Sequence, residues 1–234
     1  MKKRIVIKTS GETMGNARSE SNLDFKEIKS LAQSLKKLVN LGYQVSVVAG
    51  GGNIFRGRMI KGAEIDKTTA DHMGMMATHI NALALESMLN SIGQKSVVMS
   101  PFYVPKIVRP INYQKAIEHL EKKTVVIFAG GTGNPYFTTD TNMILRALEI
   151  QAEVVYKATN VLGVYDKNPL KYKNAKLYRT LTYDEALKKS LEVMDQTAFA
   201  LARDNQVKIT VFKYSPQNLI KAVTKNNIGT KISN

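Results

Sequence analysis

Short runs of β-branched and aliphatic residues alternate along this chain with longer segments of helical period, and that alternation limits the fold more than any other feature. Residues 4–8, 44–49, 96–99, 124–129, 153–157 and 208–212 are expected to form strands, most of them bounded by glycine or charge. Between the first two, Phe25, Ile28, Leu31, Leu35, Leu38 and Val39 recur at a spacing that puts them on one helix face, and Gly42 supplies the left-handed residue that ends such a helix. Further helices are predicted over 71–92, ending at Gly93, and over 113–121 and 139–150. Thr182-x-x-Glu185 reads as a capping box, and Ser215-Pro216 as an N-cap followed by a proline in the first turn. Strands separated by helical crossovers pair in parallel, so the expected class is α/β with a mostly parallel central sheet. At 234 residues and 44% hydrophobic content, the chain can bury a sizeable core as one domain spanning 1–234.

Composition removes several classes of chemistry. The absence of cysteine excludes disulfides, thiolate metal sites and a thiol nucleophile. Lys2-Lys3-Arg4 precedes an apolar run that Lys8 interrupts, too short for a secretory signal, and no stretch approaches the roughly 20 apolar residues that span a bilayer. A soluble, cytoplasmic protein without membrane contact is expected. The formal charge of +15 favours anionic partners such as nucleotides. The basic residues are scattered over helix faces, at Lys26, Lys29, Lys36, Lys37, Lys188 and Lys189, rather than interleaved with aromatics, so nucleic acid is not the expected partner.

In parallel sheets, function collects where strands end and loops begin. The first predicted strand ends in Lys8-Thr9-Ser10-Gly11-Glu12, where a lysine beside a Ser-Gly turn could neutralise a phosphoryl group, although by itself it reads more readily as an ordinary strand-end lysine. The second delivers Gly50-Gly51-Gly52-Asn53 and then Arg56-Gly57; successive glycines let backbone N–H groups close around an anion. The fourth runs into Gly130-Gly131-Thr132-Gly133-Asn134-Pro135-Tyr136-Phe137-Thr138-Thr139-Asp140, directly before a helix whose N-terminus offers free N–H groups. Neither Gly-x-x-x-x-Gly-Lys-[Ser/Thr] nor a strand-borne Gly-x-Gly-x-x-Gly occurs, which sets aside the P-loop and dinucleotide-binding readings.

Together with Asp71-His72-Met73-Gly74-Met75, Lys157-Ala158-Thr159 and Val193-Met194-Asp195, these motifs resemble the amino-acid kinase superfamily and, within it, the bacterial UMP kinases, over essentially the whole chain. The resemblance implies a three-layer αβα sandwich, phosphoryl transfer from ATP to UMP, Mg²⁺ carried by the nucleotide, a homohexamer and inhibition by UTP. It implies that Lys8, Thr9, Ser10, Gly11, Gly52 and Arg56 surround the ATP phosphates, and that Thr159, Tyr165 and Asn168 line the adenosine pocket. Gly51, Asp71, Thr132, Gly133, Asn134, Pro135, Tyr136, Phe137, Thr138 and Thr139 would hold UMP, with Asp71 accepting from the ribose and Thr132 and Asn134 reading the uracil. Lys8 and Arg56 would stabilise charge on the phosphoryl group in flight, while Asp140 and Asp195 orient Lys8 or Mg²⁺.

The chain departs from the family pattern at Leu162 and Asn168, where acidic residues are usual, and in the segment 14–22, which lacks a glycine-rich form. Other readings keep the scaffold: a kinase acting on a carboxylate or carbamate, or a nucleotide-binding protein without turnover. A basic nucleic-acid-binding protein is a third, with Lys167, Lys171, Lys173 and Lys176 among Tyr165, Tyr172 and Tyr178 as its nearest patch. His72, His79 and His119 share no metal-ligand spacing and are expected in structural or surface roles, and Met73, Met75, Met76 and Met88 are expected to pack between subunits.

Overall fold

The computed structural model describes residues 3–15, 21–56, 62, 64–191, 194–225 and 227–234. Gly57 and Val193, both part of the motifs above, and residues 16–20 of the segment 14–22 lie outside the described residues.

One sheet of nine strands carries the molecule: β1 (Arg4–Thr9), β2 (Gln44–Ala49), β3 (Ser96–Ser100), β4 (Arg109–Pro110), β5 (Val125–Phe128), β6 (Val154–Thr159), β7 (Thr180–Thr182), β8 (Lys208–Lys213) and β9 (Thr230–Ser233). Their order is β4-β3-β5-β2-β1-β6-β8-β9-β7. Every neighbouring pair is parallel except β8 with β9. The helices are α1 (Phe25–Asn40), α2 (Lys67–Ser91), α3 (Tyr113–Glu121), α4 (Thr139–Glu149), α5 (Tyr183–Lys188), α6 (Gln196–Asp204) and α7 (Pro216–Thr224).

Strand side chains alternate between faces, so the sheet feeds two cores. Ile5 and Ile7 of β1 join Leu31 and Leu35 of α1, Leu85 and Leu89 of α2 and Leu219 of α7 on one side. Val6 joins Leu120 of α3, Ile144 of α4, Tyr183 of α5 and Phe199 of α6 on the other. This is the expected three-layer αβα sandwich.

The six predicted strands and the predicted helices are present, with edges shifted by a residue or two in most cases. α2 begins four residues earlier than predicted because the Asp66 carboxylate accepts the Thr69 N–H and caps it there. Gly42 does follow α1, at φ +87°. The capping box holds in both directions between Thr182 and Glu185, and Ser215 caps α7 ahead of Pro216. β4, β7, β9 and α6 were not expected.

Parallel order brings the C-terminal ends of β1, β2, β5 and β6 to one edge, and the chain leaves β1 for β2 on one side but reaches β6 on the other. That reversal opens a crevice above β1 and β6.

Candidate active site

Lys8 of β1 and Lys157 of β6 are register partners on adjacent parallel strands, so their side chains leave the same face of the sheet. Asp140, in the first turn of α4, lies across both. Its Oδ1 is 3.2 Å from the Lys8 ammonium and its Oδ2 is 2.5 Å from that of Lys157. Burial opposes ionisation of Asp140, but the two ammonium groups outweigh it and hold the carboxyl below the ordinary carboxylate range. Burial, reinforced by Lys8 and only partly offset by Asp140, draws the Lys157 ammonium below the usual lysine range.

Lys8 reaches into a cleft of about 440 Å³. Its walls come from all three glycine-bearing strand ends: Ser10, Gly11 and Glu12 after β1, Gly50 to Gly52 and Arg56 after β2, Gly131 and Phe137 to Thr139 after β5. Asp71, Gly74, Met75 and Thr78 of α2 close the remaining side. The first two loops touch so closely that a Cβ on Gly11 would sit 2.4 Å from the Asn53 N and 2.6 Å from the Gly52 N, so glycine is required there for the loops to meet.

Two polar residues of α2 hold these loops in place. Asn81 is fully buried and donates to the Gly50 carbonyl at 2.6 Å and the Asn53 side chain at 2.7 Å. Thr78 accepts the Gly130 N–H at 2.7 Å while its hydroxyl donates to the Met75 carbonyl. His79, expected to be structural, is buried; its Nδ1–H donates to the Met75 carbonyl and its Nε2 accepts the Ser100 hydroxyl. Burial, partly countered by the Met75 contact, draws its pKa below the ordinary histidine range.

At the β5 loop, the Thr138 hydroxyl caps α4 by accepting the Asp140 N–H at 3.0 Å and itself donates to Asp195. Asp195 also accepts from the Thr141 hydroxyl and caps α6 through the Ala198 N–H, tying the N-termini of two helices together. Its carboxylate is thus tied to the end of α4, and its charge also favours the protonated form of Lys157. Asp71 is engaged by the Lys67 ammonium and the Tyr136 N–H, both at 2.8 Å. Burial works against its ionisation, but those two donors prevail and its pKa lies below the usual range. Arg56 pairs with Glu12 across the mouth of the cleft and donates to the Gly52 carbonyl.

A second cavity, of about 490 Å³, opens at the end of β6 next to the first. Thr159, Tyr165 and Asn168 line it, as do Leu170, Tyr172 and Lys167, whose ammonium stands 5.4 Å from the Tyr172 ring centre.

The structure thus gathers Lys8, Ser10, Gly11, Gly51, Gly52, Arg56, Asp71, Phe137, Thr138 and Thr139 around one cleft, and Thr159, Tyr165 and Asn168 around its neighbour. Thr9 is buried beneath the first cleft and donates to the Val48 carbonyl. Thr132, Gly133, Asn134, Pro135 and Tyr136 form the tight turn beside it, stabilised by contacts between Thr132 and Asn134 and by the Gly133 N–H on the Gly130 carbonyl. Met75 is buried under Gly131 in the cleft wall rather than on the surface, whereas Met73 and Met76 are exposed. Sequence reasoning placed Lys157 in a family motif without giving it a role, and missed Asn81. The signals available for them were a charged residue inside an otherwise apolar strand and an amide on the core-facing side of a long helix.

The chain belongs to the amino acid kinase family, whose model matches residues 3–213. Within that family it is similar to the UMP kinase of Ureaplasma parvum, at 40% identity over all of both chains with a TM-score of 0.94. It is also similar to the UMP kinase of Bacillus anthracis, at 35% identity over 99% of this chain and 96% of that one, again with a TM-score of 0.94. The uridylate kinase of Archaeoglobus fulgidus matches at 27% identity over the full length of both, with a TM-score of 0.75.

Proposed function

We propose that this chain is a UMP kinase, transferring the γ-phosphoryl group of ATP to UMP to give ADP and UDP in pyrimidine nucleotide synthesis. The observation that carries the reading is the shared cleft: Lys8, the glycine loops and the Thr138–Thr139 helix end face one space large enough for two phosphate chains to meet. Full-length similarity to UMP kinases supports it.

In this reading ATP places its adenosine in the cavity lined by Thr159, Tyr165 and Asn168 and extends its phosphates over Ser10, Gly11 and Gly52. UMP lies against Gly51, Asp71 and the loop from Thr132 to Thr139, with its phosphate toward the α4 N-terminus. A phosphate oxygen of UMP attacks the γ-phosphorus. The bond from that phosphorus to the β–γ bridging oxygen breaks, and its electron pair leaves with ADP. The attacking oxygen is already ionised near neutral pH, so no proton has to be removed. The transferring group spreads negative charge over its equatorial oxygens, which makes positioning and electrostatics the work of the protein. Lys8 meets that charge from the sheet and Arg56 from the rim. The Arg56–Glu12 pair is partly exposed, and such pairs are worth only about 0–1 kcal/mol, so a phosphate can draw Arg56 inward.

Mg²⁺ enters on the nucleotide, where it neutralises phosphate charge and fixes phosphate geometry. The donor set agrees: both Asp140 oxygens face ammonium groups and the Asp195 oxygens accept from two threonines and a backbone N–H. The chain is read as one catalytic domain acting in the cytoplasm as a homohexamer inhibited by UTP. An exposed apolar stripe on α2, Met73, Met76 and Ile80, supports self-association. Among the described residues no helix is long and apolar enough to cross a membrane.

Measuring ADP release with ATP and UMP, CMP, dUMP, acetylglutamate, aspartate or carbamate tests the assignment. UMP should be the preferred acceptor; faster ADP release with any carboxylate or carbamate would overturn it.

A further inference from the structure

Asn53 and Asn81 have no part in the reading above, and neither is among the walls of the cleft, yet they form a reciprocal amide pair behind it. Asn53 donates to the Asn81 Oδ1 at 3.1 Å, and Asn81 donates to the Asn53 Oδ1 at 2.7 Å. Each amide also has a backbone partner: Asn81 donates to the Gly50 carbonyl at 2.6 Å and Asn53 to the Asn22 carbonyl at 2.7 Å. A carbonyl only accepts, so these two contacts fix which end of each amide is the donor, and the pair has one arrangement.

The pair stands where several chain segments cross. The turn after β1 lies so close that a Cβ on Gly11 would meet the Asn53 Oδ1 at 2.4 Å, and one on Gly15 would meet the Asn53 Cβ at 2.7 Å. Asn22 belongs to the segment leading into α1, and Gly50 and Asn53 bracket the loop after β2. Asn81 stands on α2, whose Thr78 takes the Gly130 N–H and whose Asp71 takes the Tyr136 N–H, both from the loop after β5. One helix therefore holds the β1 and β2 loops through the amide pair and the β5 loop through Thr78 and Asp71. An apolar side chain would fill the space of Asn81, which is fully buried; what a satisfied amide pair adds is a unique geometry. We infer that Asn53 and Asn81 act as one positioning unit that sets the separation of the donor and acceptor phosphate sites. Each nucleotide keeps its own contacts without the pair, but transfer needs the two phosphates in line, and a misplacement of about 1 Å can slow it by about 10²-fold.

The inference rests on the phosphoryl-transfer reading, and wild-type turnover of UMP in the same assay tests that reading separately. Asn53→Ala and Asn81→Ala should each lower kcat by roughly 10-fold or more while KM for ATP and UMP stays within about 3-fold. Because both residues act through one unit, the double variant should be no more than about 3-fold slower than the slower single one, whereas independent effects would multiply. Leu85→Ala, one turn further along α2 and buried in the core, controls for general loosening: it should melt at a lower temperature yet keep kcat within about 3-fold. Thermal melts establish that each variant is folded, and Asn81→Ser repeats the comparison should Asn81→Ala fail to fold. With an active wild type, folded single variants within about 3-fold of normal kcat overturn the inference. So do a loss carried by KM alone, a double variant slowed by the product of the single effects, or a Leu85→Ala enzyme slowed as much as the asparagine variants. A wild type that does not turn over UMP overturns the kinase reading instead.

Discussion

At the scale of single residues, the site depends on what each charge faces. Lys8 projects from a buried strand into the cleft with its ammonium fixed by Asp140, so Lys8→Ala removes a preorganised donor and should lower kcat by roughly 10²–10³-fold in an ADP-release assay. Asp140 makes a prediction about pH. Its folded-state pKa lies below its unfolded value of about 3.9, so its contribution to stability is fully present above that value and is lost as pH falls from it toward the folded value. Melting temperatures measured through the acid range should therefore fall less steeply for Asp140→Asn than for the wild type. Lys8, at the end of β1, and Arg56, Thr138 and Thr139, in the loops that follow β2 and β5, were legible in the sequence because each stands beside a glycine- or hydroxyl-rich turn, a local pattern. Lys157 was visible as part of a motif, but its place was not, since it comes from lying opposite Lys8 in a pairing between strands almost 150 residues apart, which no local window contains. Asn81 was hidden for a related reason: its partners, Gly50 and Asn53, lie on another element.

At the scale of elements, capping sets both the helix ends and the position of the chemistry. Thr182 and Glu185 cap α5 reciprocally on the far edge of the sheet, so Thr182→Ala should cost about 1 kcal/mol in denaturant unfolding and leave turnover unchanged. Thr138 makes the same kind of cap on α4, but there the capped turn contains Asp140 and the hydroxyl also bonds Asp195. Thr138→Ala should cost a similar amount of stability and lower kcat as well. Leu85 of α2 is fully buried in the core that α1, α2 and α7 form with the sheet, and Leu85→Ala should destabilise by about 2–5 kcal/mol. Central strands and amphipathic helices announced themselves through burial on one or both faces. β4 and β7 form the two sheet edges and β9 lies between β8 and β7; at two to four residues all three are too short to show a period, and β9 runs antiparallel to β8 against the βα pattern. α6 escaped notice because Asp195 drew attention as a site residue, whereas its carboxylate caps that helix.

At the scale of the whole molecule, a parallel sheet that reverses direction beside β1 turns three separate glycine loops into one cleft. The loop motifs could be read from the sequence; that they converge could be inferred only through the family resemblance, because convergence is a property of strand order. The proposed hexamer adds a test of its own: sedimentation should give six times the 26.0 kDa of one chain, and a species of 26.0 kDa alone at micromolar concentration would contradict it. The central claim is that ATP and UMP meet phosphate to phosphate in that cleft. Titration calorimetry with adenosine and uridine joined through a chain of five phosphates tests it most directly. The compound should bind one molecule per chain, tighter than ATP or UMP alone, and displace both. Displacement of only one nucleotide, or two molecules of the compound bound side by side on each chain, would contradict the account.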